Sequence, residues 1–389
     1  MLLCFDCNQM QNNRIKIFFF IDSFRVGGMH RQILYLFKHL NNNLFEPILC
    51  TQIAIGGLKP EFEKTNCKLL DLKWKRKFDI TTIYRLIKIL KEEKPEIIFI
   101  TEAQNFIYYR IARIFWRGHV VQIGSFRALT FWKGHLNKFY WLIDVLISKW
   151  LIETSDRIVV NSIAMKNHYS SLVNIKSGKS INVIYNGSDF DFAVTRSEAE
   201  IRKELEIGLD EIAVIMVARL DPWKDYITFF EAAKIIIRTD NRVKFFLIGD
   251  GILRNSLSHD IINMELNNNL FLLGERKDIF NYINVATISA LSTHGEGFSN
   301  SIMESMAFGK PVIATNVGGN VELLGSKNEF GILIPPKSPG LFSDAIRTLI
   351  MDDGLRKKMG QAAKEQIHQL CDIRKYIGSY EELFMSSVK

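Results

Sequence analysis

The stretch Gly295-Glu296-Gly297-Phe298-Ser299-Asn300-Ser301-Ile302-Met303-Glu304-Ser305-Met306-Ala307-Phe308-Gly309-Lys310-Pro311 decides how this chain is read. Apolar runs flank it, residues 286–291 before and 311–315 after, and both read as buried strands. Between them stand a glycine-broken loop and a short helix, with Gly309 where a C-terminal cap belongs. The first amides of a helix lack partners, and the helix dipole adds about half a positive charge there. Strand, glycine loop and helix start therefore make a pocket for an anion. Glu296 and Glu304 lie eight positions apart in this pocket. Carboxylates repel phosphate, so they face something else. An ionised carboxylate accepts two hydrogen bonds from neighbouring hydroxyls, which points to a sugar. Two plainer readings stay open: Ser301-x-x-Glu304 also fits a helix capping box, and Glu296 alone fits an ordinary loop carboxylate.

Working outward, strand and helix patterns alternate on both sides. Residues 212–218, 243–248 and 270–273 read as strands, and 227–237 and 278–284 as helices, with another helix starting at Ile252. Gly249 sits at the end of one of these strands. Arg219 and Lys224 leave the end of another, on the same rim as the opening stretch. Two cations beside helix-start amides suit a diphosphate without a metal; the plainer reading of either alone is surface charge. A charge-assisted hydrogen bond contributes roughly 1.5–3 kcal/mol. Downstream, Gly318-Gly319-Asn320-Val321-Glu322 is a glycine pair before a short helix. A strand at 331–335 and helices at 339–351, 354–370 and 376–385 follow.

The first half alternates in the same way. Strands are expected at 14–21, 47–53, 97–101, 120–124, 156–161 and 181–185, and helices at 30–40, 80–93 and 106–115. Such alternation implies an α/β chain with doubly wound parallel sheets, whose ligands bind beyond the carboxyl ends of the strands. That rule places Gly27, Gly28, Ser125, Phe126 and Arg127 along one cleft. The pair Gly27-Gly28 lets the backbone approach a ligand or a facing domain, or marks a simple tight turn. A turn cluster, Asn186-Gly187-Ser188-Asp189, and a shift in charge put the domain boundary near residue 190.

At 389 residues the chain suits two domains. Residues 1–190 hold 27 Lys and Arg against 15 Asp and Glu, while residues 191–389 hold 23 against 27. The basic first half also mixes cations with aromatics at 72–78, 110–117 and 131–151. A solvated face, an anionic membrane surface and single-stranded nucleic acid all suit that pattern. No apolar run of about twenty residues reads as a membrane span, and no signal peptide is legible. Five cysteines, an odd number, argue for a reducing compartment. Cys4-x-x-Cys7 has no second ligand pair at usable spacing, so no metal site is expected.

Glu296 and Glu304, Arg219 with Lys224 after a strand, Gly249-Asp250-Gly251, Gly318-Gly319, Asn186-Gly187 and Gly27-Gly28 together resemble the family-four retaining glycosyltransferases of the GT-B fold. Ala218 stands for that family's usual glycine. The resemblance implies two facing Rossmann-like domains, residues 1–190 for the acceptor and 191–370 for a nucleotide sugar. Residues 371–389 would form a helix crossing back to the first domain. It implies that Arg219 and Lys224 bind the donor's diphosphate and that Glu296 bonds the sugar's hydroxyls. Gly297, Phe298, Ser299 and Asn300 would line the phosphates, Glu304 would reach the ribose, and Gly27, Gly28 and Gly249 would shape the cleft. Arg127 stands where the family often has a cleft histidine and is expected to take a catalytic contact there. The expected enzyme is a metal-independent, retaining hexosyltransferase with no cofactor beyond its donor substrate, more often a UDP sugar than a GDP sugar. Its acceptor would be a lipid-linked saccharide of bacterial surface polysaccharide, lipopolysaccharide or capsule. Such an enzyme would sit in the cytoplasm against the inner membrane face and bind no nucleic acid. A sugar-nucleotide epimerase of the same fold, or a non-catalytic assembly subunit, are the rival readings.

Overall fold

The computed structural model describes residues 14–65, 67–75, 79–127, 138–172 and 180–388. Cys4, Cys7, residues 76–78 of the basic run and Phe131 with Trp132 lie outside these, as do the side chains of Tyr140 and Trp141. Two parallel sheets form. The first is built from β1 (Ile15–Ile21), β2 (Phe45–Thr51), β3 (Lys68–Asp71), β4 (Ile97–Thr101), β5 (Val121–Phe126), β6 (Arg157–Val160) and β7 (Ile181–Val183). Their order is β3-β2-β1-β4-β5-β6-β7. The second is built from β8 (Ile212–Val217), β9 (Val243–Ile248), β10 (Leu270–Gly274), β11 (Ile288–Leu291), β12 (Val312–Thr315) and β13 (Ile332–Ile334), in the order β10-β9-β8-β11-β12-β13. In each sheet the order reverses beside a central strand, which is where open α/β sheets bind ligands.

Helices cover both faces. The first domain carries α1 (Gly28–His39), α2 (Lys59–Glu63), α3 (Ile80–Glu93), α4 (Ala103–Phe115), α5 (Lys138–Thr154) and α6 (Ile163–Leu172). The second carries α7 (Glu198–Glu204), α8 (Tyr226–Ile237), α9 (Arg254–Asn263), α10 (Ile279–Val285), α11 (Asn300–Ala307), α12 (Asn320–Leu324), α13 (Pro339–Met351) and α14 (Asp353–Leu370). The last helix, α15 (Ile373–Val388), belongs to neither sheet's sequence neighbourhood.

Burial explains the strands. In β1, Ile17 through Ile21 are fully buried, with alternate side chains entering separate cores on the two faces. A strand covered on both faces is apolar along its buried length, as residues 17–21 of β1, 97–100 of β4 and 245–248 of β9 are. Helix α15 packs on the first sheet. Tyr376, Tyr380 and Phe384 lie in the first domain's core, Phe384 at 6.1 Å from Phe19 and Tyr380 at 5.8 Å from Phe99 between ring centroids. Its Tyr376 Oη donates to Gln32 O at 2.9 Å. A methyl on Gly187 would come within 2.4 Å of Tyr376, so the Asn186-Gly187 turn is the groove in which α15 lies.

Candidate active site

The second sheet supplies one wall of the cleft. The loop after β8 is organised by buried Asp221, which accepts from Arg219 Nε at 2.6 Å and from the Trp223 amide at 3.0 Å. A β-bridge joins Lys224 to Thr293, stitching this loop to the one after β11. Lys224 Nζ therefore reaches Glu296 and donates to Oε2 at 2.6 Å. Arg219 leaves the same loop paired with Asp221, with a side chain 73% exposed.

Glycines hold these loops in place. Gly318 has φ 51°, and a methyl there would come within 1.8 Å of the Glu296 carbonyl oxygen. The Gly319 amide donates to that same oxygen at 3.2 Å. Gly249, at φ 141°, is pressed against the Ala218 carbonyl, which a methyl would approach to 2.0 Å. Both positions demand glycine, one to seat Glu296 and the other to seat the strand end before Arg219.

Helix α11 begins at Asn300, with Ser299 as its N-cap accepting from the Ile302 amide at 3.3 Å. The Asn300 and Ser301 amides, in its first turn, have no intrahelical acceptor. Phe298 is buried, its ring centroid 5.4 Å from that of Tyr185. The capping box that Ser301 and Glu304 could have made is not formed, because the helix starts one residue before Ser301 and Glu304 stands beyond the first turn. Instead Glu304 Oε1 accepts from Arg31 Nη1 at 3.1 Å, across the domain boundary. Burial pushes the Glu304 carboxyl up, and the Arg31 charge opposes this.

The first domain closes against this wall. A methyl on Gly28 would come within 1.9 Å of Asn300 Nδ2, so this glycine serves approach to the facing domain. Gly27 is extended at φ 179°, and nothing there requires glycine. Asn300 Oδ1 accepts from Asn186 Nδ2 at 2.9 Å, and Asn186 Oδ1 accepts from Arg127 Nη1 at 2.9 Å. Arg127 also donates from Nη2 to Tyr380 Oη at 2.6 Å and from Nε to Ser125 Oγ at 3.3 Å. All three guanidinium nitrogens are engaged, tying β5 to the interdomain turn and to α15. What meets the glycine loop is the Arg127 carbonyl, 2.6 Å from where a methyl on Gly297 would stand. Arg127 thus joins β5, the interdomain turn and α15 through its side chain and meets the glycine loop through its backbone. Glu322, in the helix after Gly318-Gly319, accepts from the Ile163 and Ala164 amides at 2.8 and 2.9 Å, so the second domain caps α6 of the first.

One cluster escaped the sequence reading. Asp22 follows β1 and Glu102 follows β4, the two strands at the order reversal of the first sheet. His30 Nε2 lies 2.8 Å from Asp22 Oδ1, Arg25 pairs with Asp22, and Arg25 Nη2 stands 3.5 Å from Glu102 Oε1. Asp22, His30 and Glu102 have their ligand atoms within 4.8 Å of one another, a spacing that suits a metal, but Arg25 already supplies the positive charge. Burial, with the Asp22 charge beside it, pushes the Glu102 carboxyl up to about 7. The carboxyl-end rule applied to β1 and β4 would have found this cluster. On the outside of the same domain, α4 and α5 expose Ile107, Ile114, Phe115, Leu142, Leu146 and Trp150, and the Arg110 guanidinium stands 5.8 Å from the Trp150 ring centroid. No helix among the described residues is long and apolar enough to cross a membrane.

The chain is similar to known proteins over most of its length. Over 383 residues the chain is 28% identical to the UDP-Gal:alpha-D-GlcNAc-diphosphoundecaprenol alpha-1,3-galactosyltransferase of Escherichia coli, covering 93% of this chain and 95% of that protein. It is 28% identical over 231 residues to the N-acetylgalactosamine-N,N'-diacetylbacillosaminyl-diphospho-undecaprenol 4-alpha-N-acetylgalactosaminyltransferase of Campylobacter jejuni, covering 59% of this chain and 60% of that one. The crystal structure of Anabaena HepE in complex with UDP-glucose superposes with a TM-score of 0.81 at 20% identity, covering 96% of this chain and all of the other. Residues 26–192 match the family model described as Glycosyltransferase Family 4, and residues 197–366 match Glycosyl transferases group 1. One model falls on each domain, and the chain belongs to the family-four glycosyltransferases of the GT-B fold.

Proposed function

We propose that this glycosyltransferase moves a sugar, with retention of configuration and without a metal, from a UDP sugar to a hydroxyl of a lipid-linked saccharide. One observation carries the donor half: Lys224 and Glu296 meet at 2.6 Å beside the start of α11. The two charges neutralise each other until a donor separates their tasks. The diphosphate takes the Lys224 ammonium, with Arg219 and the first amides of α11, and the sugar's hydroxyls take the Glu296 carboxylate. As the bond from the anomeric carbon to phosphate oxygen breaks, negative charge grows on the diphosphate, where these donors stabilise it. The acceptor oxygen bonds the anomeric carbon on the same face, and its proton passes to the departing phosphate oxygen. No protein nucleophile is needed.

The preference for uridine and for a lipid-linked acceptor is supported by the names of the Escherichia coli relative and of the HepE complex. The apolar, arginine-flanked face of α4 and α5 supports docking at an anionic membrane surface, which would bring such an acceptor to the cleft. The test incubates the protein with UDP and GDP sugars, with and without chelator and a lipid-linked saccharide, and reads the product's anomeric configuration by NMR. An inverted anomer overturns retention, loss of transfer with chelator overturns metal independence, and an epimer formed without acceptor overturns transfer.

A further inference from the structure

The loop that carries Glu296 lies between two walls. One is the glycine pair before α12, where a methyl on Gly319 would come within 2.2 Å of the Gly297 carbonyl oxygen. The other belongs to the first domain, whose Arg127 carbonyl and Asn161 Oδ1 stand 2.6 and 3.1 Å from a methyl on Gly297. Asn161 lies between β6 and α6. Glu322, on α12, accepts from the Ile163 and Ala164 amides at the start of α6. One carboxylate therefore ties the two walls to each other, across 159 positions of chain. Tyr185 joins the same bridge. Burial and the neighbouring Glu322 push its hydroxyl up, and its ring packs on Phe298 of the loop. Helix α6 already has a cap of its own, Ser162 Oγ accepting from the Met165 amide at 3.1 Å. Ending a helix is thus not all that the Glu322 contact does.

We propose that Glu322 is a positioning residue for transfer: by clamping α12 to α6 it holds the glycine loop, and with it the Glu296 carboxylate, in register with the sugar. This rests on the reading of Glu296 given above and adds to it a residue that touches no substrate. Two amides on one carboxylate, with the helix dipole behind them, make a firm contact. A displacement of about 1 Å at a reacting centre costs on the order of 100-fold in rate. Lys224 and Arg219 hang on the loop after β8, which Asp221 and the bridge to Thr293 hold instead, so affinity for the diphosphate does not depend on the clamp.

The test measures kcat and KM with the UDP sugar and acceptor that the parent uses, UDP affinity by calorimetry, and the melting temperature. It compares the parent with Glu322→Ala, Ile163→Pro and the double variant. Proline at the first helical position removes the Ile163 donor while fitting the helix start. Glu322→Ala is expected to lower kcat by roughly 10-fold or more, with UDP affinity within about two-fold of the parent's. Ile163→Pro lowers kcat by less, and the double variant matches Glu322→Ala because both changes act on one contact. A parental kcat in Glu322→Ala overturns the inference, and so does a loss of UDP affinity that parallels the loss of kcat. Effects that multiply in the double variant overturn it too. Should Glu322→Ala fail to fold, Ile163→Pro decides alone, and a parental kcat in that variant overturns the clamp. A parent that transfers no sugar overturns the reading of Glu296 and this inference with it.

Discussion

Lys224 Nζ and Glu296 Oε2 stand 2.6 Å apart although 72 positions separate them, because a β-bridge from Lys224 to Thr293 brings their loops together. Each member then has its own expected phenotype. Glu296→Gln keeps a hydrogen bond to Lys224 but loses the carboxylate, so nucleotide affinity holds while transfer falls about 100-fold or more. Lys224→Ala removes the diphosphate's cation, and UDP affinity measured by calorimetry falls roughly 10- to 100-fold. Full transfer activity in Glu296→Gln would count against the sugar contact, and unchanged UDP affinity in Lys224→Ala against the phosphate contact.

Gly318 sets where Glu296 stands. An alanine there must adopt φ 51° and place its methyl within 1.8 Å of the Glu296 carbonyl. The left-handed backbone alone costs about 1–2 kcal/mol, and the clash with backbone cannot be relieved by a rotamer. Gly318→Ala is expected to lower the melting temperature by several degrees and to reduce transfer more than ten-fold. Gly27→Ala, at an extended position with no close neighbour to the methyl, is the control and leaves both nearly unchanged. Equal behaviour of the two variants would refute the argument.

Glu102 predicts a pH dependence of stability. Its carboxyl is raised from 4.5 to about 7, by burial first and then by Asp22. Between those values the folded state holds a proton that the unfolded chain releases. Unfolding therefore becomes easier as pH rises through this window, and Glu102 destabilises the fold above it. Asp22, beside it, is lowered below 3.8 by the His30 contact and Arg25 against the opposing pull of burial, so its own transition lies outside the window. Glu102→Gln removes the slope. Thermal melts from about pH 5 to about pH 8 are expected to show the variant gaining on the parent as pH rises. A constant difference would show that the Glu102 carboxyl titrates in its ordinary range.

Membrane docking has its own test. Ile114 is 67% exposed and Phe115 66% exposed on α4. Aspartates at both positions add repulsion to lost apolar burial and are expected to reduce sedimentation with anionic vesicles by at least ten-fold, leaving transfer to a water-soluble acceptor intact. Vesicle binding that is insensitive to these changes would move the docking surface elsewhere.

What the sequence made legible follows from where each signal lies. The second domain's wall is local: Glu296, the N-cap Ser299 and α11 fall within a dozen residues, so one stretch carries the motif. The sheets were legible where both faces are buried. Strand β3 was missed because it is an edge strand of four residues, none of them fully buried. Helix α6 was missed because its polar run Lys166-Asn167-His168 breaks the apolar period, and its first amides are capped from another domain by Glu322. The interdomain contacts were beyond reach for a simpler reason. Arg31 and Glu304 are 273 positions apart, and no periodicity links them. Arg127 and its partner Tyr380 are likewise 253 positions apart.

The crossing of α15 also orders events at the ribosome. Tyr380 and Phe384 complete a core whose other members, such as Phe19, Phe37 and Phe99, emerge hundreds of residues earlier. Nascent domains ordinarily fold as they appear. Here the first Rossmann unit must wait with an unfilled apolar trough until the second has been made, so the molecule finishes itself in reverse, sealing its beginning last.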